Sequence, residues 1–361
     1  MLSIIPHSKP YVSGDDIKSV EAQVSSGMHA TGKKTEEFEE LIARFVNVRY
    51  AKATSSGTTA LQLGLLSLRI KEGDEVIIPS YVCQAVMNSV NYLKAKPVLV
   101  DIQDDFLQKG CNISADTIKP FVTNKTKAII LPHMFGIPAE LNEILKLGIP
   151  VIEDCAQCFG SKYNGKEVGS FGDVGMFSFY ATKFISTGQG GMVVTNSDEL
   201  KSKFNDLTKY DLKENYTIGH NFGLTDIQSA LGVSQLKKIN YLIRRRKEIA
   251  SKYDTAFKEL NGIKLMSYHK DCVPFRYVVM FENTKEREKA QESLREKGII
   301  AAQPVFKPLH QYLGLDKSDF KNTESSHDKI LSLPLYPALT EEEVNYIIHT
   351  LSHVIDNDPN P

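Results

Sequence analysis

Between Gly73 and Asn196 the chain alternates short apolar runs with helical stretches. The runs are Val76 to Pro79, Pro97 to Asp101, Ala128 to Leu131, Pro150 to Asp154, Gly175 to Phe179 and Gly191 to Thr195. Runs of this kind, with a helical stretch between each pair, predict an α/β architecture: a mainly parallel sheet covered by helices on both faces. Upstream, Phe38, Leu41, Ile42 and Phe45 recur at i, i+3, i+4 and i+7, which marks an amphipathic helix. Downstream, Thr225 and Gln228 have capping-box spacing at the head of a long helical pattern through Ile227, Ala230 and Leu231 towards Tyr253.

Beyond that helix the pattern changes. Arg276 to Phe281 reads as a strand, Lys285 to Glu296 as a helix, and Thr340 with Glu343 as the cap of a last helix. This predicts a large domain over residues 1–245 and a smaller α+β domain over 246–361, with the N-terminal segment 1–30 packed on the smaller one. The boundary falls inside the long helix, near Asn240 to Ala250, where no Gly, Pro or Ser-rich linker occurs. The run Arg244, Arg245, Arg246, Lys247 reads as a solvated helix face.

Composition narrows the picture. With 361 residues, 42% of them apolar, the chain can bury the core of an ordinary globular enzyme. Lys and Arg total 43 against 44 for Asp and Glu, so no broad basic field points to nucleic acid or a membrane surface. No apolar run approaches a membrane span. Met1 to Pro10 lacks the apolar segment and cleavage site of a signal peptide. The five cysteines are scattered and odd in number, so a disulfide framework is not expected and a reducing, cytoplasmic setting is. Cys155 and Cys158 have C-x-x-C spacing without a second pair of ligands, so no metal site is expected.

Three segments carry chemistry. Lys183 lies in Ser178-Phe-Tyr-Ala-Thr-Lys183, on a stretch that joins two predicted strands and continues to Gly188-Gln-Gly-Gly191; a buried lysine there could present a neutral amine to an aldehyde. Asp154 ends the apolar strand in Val151-Ile-Glu-Asp154-Cys-Ala-Gln157, and ligands of parallel sheets gather beyond strand carboxyl ends. Ser55-Ser-Gly57-Thr58-Thr-Ala60 leads into an apolar helix, whose first N–H groups and positive dipole end suit a phosphate. This segment lacks the Gly-Lys-Ser/Thr ending of an ATP-binding loop, so a monophosphate suits it better than a triphosphate. An amine, an acid for a ring nitrogen and a phosphate cradle are what pyridoxal 5′-phosphate (PLP) requires of a protein.

These segments, in this order, resemble the PLP fold-type-I sugar aminotransferases of the DegT and StrS group. The likeness extends to Gly73-Asp-Glu-Val-Ile-Ile-Pro-Ser80, Gly219-His-Asn221-Phe-Gly-Leu-Thr-Asp-Ile-Gln228 and Leu333-Pro-Leu-Tyr-Pro337, almost the whole chain. It implies that Lys183 joins the cofactor and moves protons, that Asp154 contacts the ring nitrogen, and that Gln157 contacts the ring oxygen. Gly57, Thr58 and Ser178 would hold the phosphate. Asn221 would reach the phosphate of a neighbouring subunit, which implies a homodimer with shared active sites. Many relatives stack an aromatic residue on the ring a few positions after Ile-Pro-Ser; ungapped alignment puts Cys83 there, with Tyr81 as the alternative. Lys307 and His310, in Lys307-Pro-Leu-His310, resemble a stretch that approaches the sugar nucleotide.

Some relatives replace the lysine by histidine and work as dehydratases, so Lys183 favours transamination. The implied reaction moves an amino group from L-glutamate to a keto-sugar carried on a nucleotide. The alternatives are amination of a cyclitol or other small ketone, and a PLP-binding regulatory protein without turnover. The intact set of Lys183, Asp154 and Gln157 speaks against the last.

Overall fold

The computed structural model describes residues 4–356; the first three and last five residues, which the divisions 1–30 and 246–361 include, lie outside the described residues. The strands of the larger part are β1 (Tyr50–Thr54), β2 (Glu75–Pro79), β3 (Lys96–Val100), β4 (Thr126–Pro132), β5 (Val151–Asp154), β6 (Lys162–Tyr163), β7 (Lys166–Glu167), β8 (Val174–Ser178) and β9 (Gly191–Thr195). Apart from the β6–β7 hairpin they form one seven-stranded sheet in the order β1-β9-β8-β5-β4-β2-β3. From β3 to β8 the pairings are parallel. At the other edge β9 runs antiparallel to both β8 and β1.

Alternation along each strand explains the layering. Val76 and Ile78 of β2 enter one apolar core with Ile130, Ile152 and Val174, while Ile77 faces the opposite core with Val100, Ile129 and Leu131. Each such side chain contributes about 1.5–3 kcal/mol on burial. Six of the seven strands coincide with apolar runs of the sequence. The seventh, β1, was not anticipated: Tyr-Ala-Lys-Ala-Thr is short, small and half-exposed, as an edge strand can be.

The amphipathic helix appears as Lys33–Val46, with Phe38 and Ile42 fully buried. The long helical pattern is not one continuous helix. It breaks at Lys238 (φ −108°, ψ 14°) into Asp226–Lys237 and Ile239–Phe257. The first piece starts with the Thr225–Gln228 capping box. After the second come β10 (Ile263–Leu265), β11 (Tyr277–Phe281) and β12 (Ile330–Leu333), an antiparallel sheet covered by helices Thr284–Glu296 and Glu341–Asp356.

Two expectations are corrected. The N-terminal segment is divided: Ile5 bridges to Ile299 and His7 bonds Ser332 in the smaller part, but helix Gly14–Ser25 packs on Asp226–Lys237, where Asp16 accepts from Ser234 (2.7 Å) and Gln235 (2.9 Å). The arginine run is not uniformly solvated either. Arg244 is exposed, but Arg246 is buried and donates to the carbonyls of Phe275 (3.2 Å) and Leu335 (3.0 Å), because the helical period turns it inward. Among the described residues no helix is long and apolar enough to cross a membrane.

Candidate active site

β5 and β8 lie side by side, and their carboxyl ends carry Asp154 and Ser178. From Ser178 the chain turns through Lys183 and returns as β9. Gly191, the first residue of β9, pairs with Ser178 on one side and Thr54 on the other, which draws the ends of β1 and β8 together. The helix after β1, Gly57–Ser67, therefore starts beside Ser178. An added Cβ on Gly57 would lie 2.9 Å from the Ser178 Cβ, and one on Gly191 would lie 2.3 Å from the Ser56 carbonyl oxygen. Only glycine allows so close an approach at either position.

The helix N-terminus is capped without being closed. The Ser56 hydroxyl accepts from the Thr59 N–H, and the Thr59 hydroxyl accepts in turn from the Ser56 N–H. The amides of Gly57 and Thr58, the first two of the helix, keep no partner among the described residues. These two N–H groups, the Thr58 and Ser178 hydroxyls and the helix dipole form a cradle of donors for an anion.

Lys183 is held by a turn in which its N–H donates to Tyr180 O (2.8 Å), while Ala181 N–H donates to Gly188 O (3.0 Å). Its amine lies 4.9 Å from the centre of the Phe275 ring. Burial lowers the pKa of that amine and the Arg276 charge lowers it further, against opposing effects of Cys83 and Asp154. Burial moves Asp154 the other way, up from the ordinary carboxylate range. The Ala156 N–H, 3.0 Å from Asp154 Oδ1, and the neighbouring Lys183 and His133 side chains offset this in part. Lys183 and Asp154 thus share one neighbourhood without forming an ion pair.

Cys83 joins them. It precedes helix Gln84–Tyr92 and opens to solvent, and its thiol pKa is raised, first by the surrounding protein and then by Asp154. Tyr81 points elsewhere: it is wholly buried, edge-on to Phe135 and His327. Gln157 is partly exposed, and its side-chain oxygen accepts from Phe135 N–H (3.3 Å). Its amide nitrogen reaches only the Met134 sulfur (3.9 Å), a weak acceptor, which leaves an N–H for a better one.

The remaining expected residues are dispersed. Asn221 is exposed in the stretch between helices Asp198–Thr208 and Asp226–Lys237. Lys307 lies 4.7 Å from the Tyr312 ring centre. His310 is fully buried and stacked on Phe320, with Nδ1 at 2.6 Å from Ser80 Oγ and Nε2 at 2.9 Å from Glu324. Both ring nitrogens are occupied, so His310 braces the fold and has no free atom for a sugar nucleotide, contrary to expectation.

Three features were missed in the sequence. Glu153, next to Asp154, is saturated: it accepts from His133 Nε2 (3.1 Å) and from the N–H groups of Gly169 (2.8 Å), Phe171 (2.7 Å) and Gly172 (2.7 Å). His133 and Glu153 form a cluster of metal-ligand type with Cys155, but the other His133 nitrogen is taken by Ala139 N–H (3.0 Å). The third feature is the Phe275–Arg276 pair beside Lys183, signalled only by a charged residue at the head of an apolar strand.

A family model described as the DegT/DnrJ/EryC1/StrS aminotransferase family matches residues 10–352. The chain is 35% identical to a GDP-perosamine synthase of Escherichia coli O157:H7, over 97% of this chain and 98% of that protein. Among solved structures it superimposes with a TM-score of 0.91 on Spr1654, a candidate sugar aminotransferase from Streptococcus pneumoniae in its PLP form, at 27% identity over 98% of this chain and 99% of that one. Helicobacter pylori PseC, an aminotransferase involved in the biosynthesis of pseudoaminic acid, gives 0.90 at 29% identity over 98% and 100% of the two chains.

Proposed function

The chain belongs to the DegT/DnrJ/EryC1/StrS aminotransferase family, whose cofactor is PLP, and on that premise we propose that it moves an amino group from L-glutamate to a ketone on a nucleotide-linked sugar. The observation that carries this reading is the meeting of Lys183 and Asp154, two crowded ionisable groups left out of ion pairs, close to a phosphate-sized cradle of unpartnered donors. When bound, the cofactor supplies an electron sink and a carbon that holds the travelling nitrogen.

The protein's own groups divide the remaining work. Gly57, Thr58 and Ser178 anchor the phosphate, and the Asp154 carboxylate faces the ring nitrogen and keeps it protonated. Gln157 donates to the ring oxygen, and the Cys83 sulfur packs on the ring face as a small, polarisable group. The Lys183 amine, its pKa lowered by burial, takes a proton from the substrate carbon and returns it one position along.

The same reading makes the protein a cytoplasmic homodimer. Tyr210, Leu212, Tyr216 and Ile218 are all exposed in the stretch that leads to Asn221, an apolar surface suited to a second copy, and a copy seated there would let Asn221 reach a neighbour's phosphate. Lys307 remains the candidate contact on the sugar-nucleotide side. The names of the relatives support a sugar acceptor.

The decisive experiment loads the protein with the amine form of the cofactor and adds nucleotide-linked 3-keto and 4-keto sugars, following return of the aldehyde-form spectrum. Return with such a sugar supports the proposal. Return only with a cyclitol ketone moves the acceptor class, and no return with any ketone overturns transamination.

A further inference from the structure

Arg276 stands immediately before β11, and its backbone carbonyl is held by the Tyr268 hydroxyl. Its guanidinium carbon lies 5.0 Å from the centre of the Phe275 ring, the same ring over which the Lys183 amine sits at 4.9 Å. No more than the sum of those distances can separate the two groups. Asp154, at the end of β5, acts on Lys183 through its charge.

What Arg276 lacks is a carboxylate. Its hydrogen-bond partner among the described residues is His7, 2.8 Å from Nη1 to Nδ1, and His7 is in turn 3.0 Å from the Ser332 hydroxyl. Burial, with the Arg276 charge, lowers the His7 pKa to about 3, so the imidazole stays neutral. A neutral acceptor fixes the guanidinium without cancelling its charge. The neighbouring Arg246 is buried more deeply: its Nη1 donates to two carbonyls, its Nε finds no partner among the described residues, and its guanidinium lies over the Phe184 ring, so no room is left there for a ligand. Arg276 is only partly buried and keeps N–H groups to spare. A planar fork of donors, partly desolvated and still charged, is matched by a carboxylate.

We propose that Arg276 is a specificity-determining residue that receives a carboxylate of the amino donor, with His7 as its positioning residue. The inference rests on the PLP transaminase reading. The cofactor phosphate has its own cradle at the Gly57 helix, so Arg276 is left for a substrate. An amino acid carries its α-carboxylate on the carbon that also bears the reacting nitrogen, which places that anion within reach of any group beside Lys183.

The test uses cofactor-loaded protein and glutarate, a dicarboxylate with no amine to react, titrated by calorimetry, alongside single-turnover reaction with L-glutamate. Arg276→Leu should weaken glutarate binding and raise the half-saturating glutamate concentration by about 10- to 100-fold, the usual loss of a hydrogen bond to a charged group. Arg276→Lys should recover part of that loss, and both variants should still load fully with cofactor when it is supplied in excess. Unchanged glutarate and glutamate saturation in Arg276→Leu overturns the proposal. So does a variant that keeps glutamate saturation but loses saturation by a nucleotide-linked keto-sugar, which would give Arg276 to the acceptor. Wild-type protein that takes up no cofactor would instead overturn the transaminase reading itself.

Discussion

Glu153 and Asp154 are consecutive carboxylates at the end of one strand, yet they belong to different regions of the molecule. Glu153 turns to the loop of Gly169, Phe171 and Gly172, where every lone pair finds a donor; Asp154 turns to the open side, where one backbone N–H reaches it. Burial acts on both, but the hydrogen bonds from His133, Gly172 and Gly169 outweigh it at Glu153 and hold that pKa low, whereas at Asp154 burial wins. A charge whose bonding capacity is filled holds the fold together. A charge left with capacity awaits a partner, and the partner proposed for Asp154 is the protonated ring nitrogen of the cofactor.

Substitution should separate the two. Asp154→Asn removes the acid that keeps the ring protonated and should cut turnover by about a thousandfold or more, within the range for a group acting directly on the reacting system. Its folded-state pKa is raised, so above the ordinary carboxylate range the ionised form costs stability. The amide removes that cost, and the thermal midpoint should hold or rise. A clear fall in the midpoint would show that Asp154 is a structural acid like its neighbour.

Glu153→Gln is the converse. It strips a buried charge from His133 and the three backbone donors and should destabilise the fold by about 3–5 kcal/mol, as breaking a buried pair does. Because the Glu153 pKa is lowered on folding, its stabilisation is fully present above the unfolded-state value and is lost as pH falls through the folded one. The gap between wild type and Glu153→Gln should therefore narrow in acid. A gap independent of pH would assign the effect to shape instead of charge.

A smaller effect should follow at the phosphate cradle. Gly57→Ala places a methyl group against Ser178, which must shift by some tenths of an ångström or tilt the helix. Overpacking of this sort costs about 1–3 kcal/mol. Cofactor affinity, measured by absorbance titration, should fall by about tenfold, with far less change in turnover at saturating cofactor. Normal affinity would remove the cradle from the phosphate site.

Much of this was legible before any coordinates. Apolar runs marked six of the seven sheet strands because buried parallel strands need side chains on both faces, and the order of Lys183, Asp154 and the Gly57 segment carried the site. What stayed hidden depends on partners far away in sequence. Nothing near Glu153 tells that Gly169 to Gly172 will wrap it, nor near His310 that Ser80 and Glu324 will occupy its ring. Arg246 read as one of four basic residues until the helical period set it apart. His7 and Arg276 meet only because the first residues cross to the smaller part.

Lys183 offers the finest comparison, between the charges on either side of it. The neutral amine is the form that condenses with an aldehyde, and its lowered pKa makes that form available at lower pH than for an ordinary lysine. Arg276 adds to the lowering and Asp154 opposes it. Arg276→Leu should therefore move the pH profile for cofactor capture by cofactor-free protein to higher pH, and Asp154→Asn should move it to lower pH. Titration of the added cofactor is common to every variant and cancels in the comparison, so the difference in sign is the measurement. If neither substitution displaced the profile, burial alone would set the amine's pKa, and the balance between its two charged neighbours would have no part in the site's chemistry.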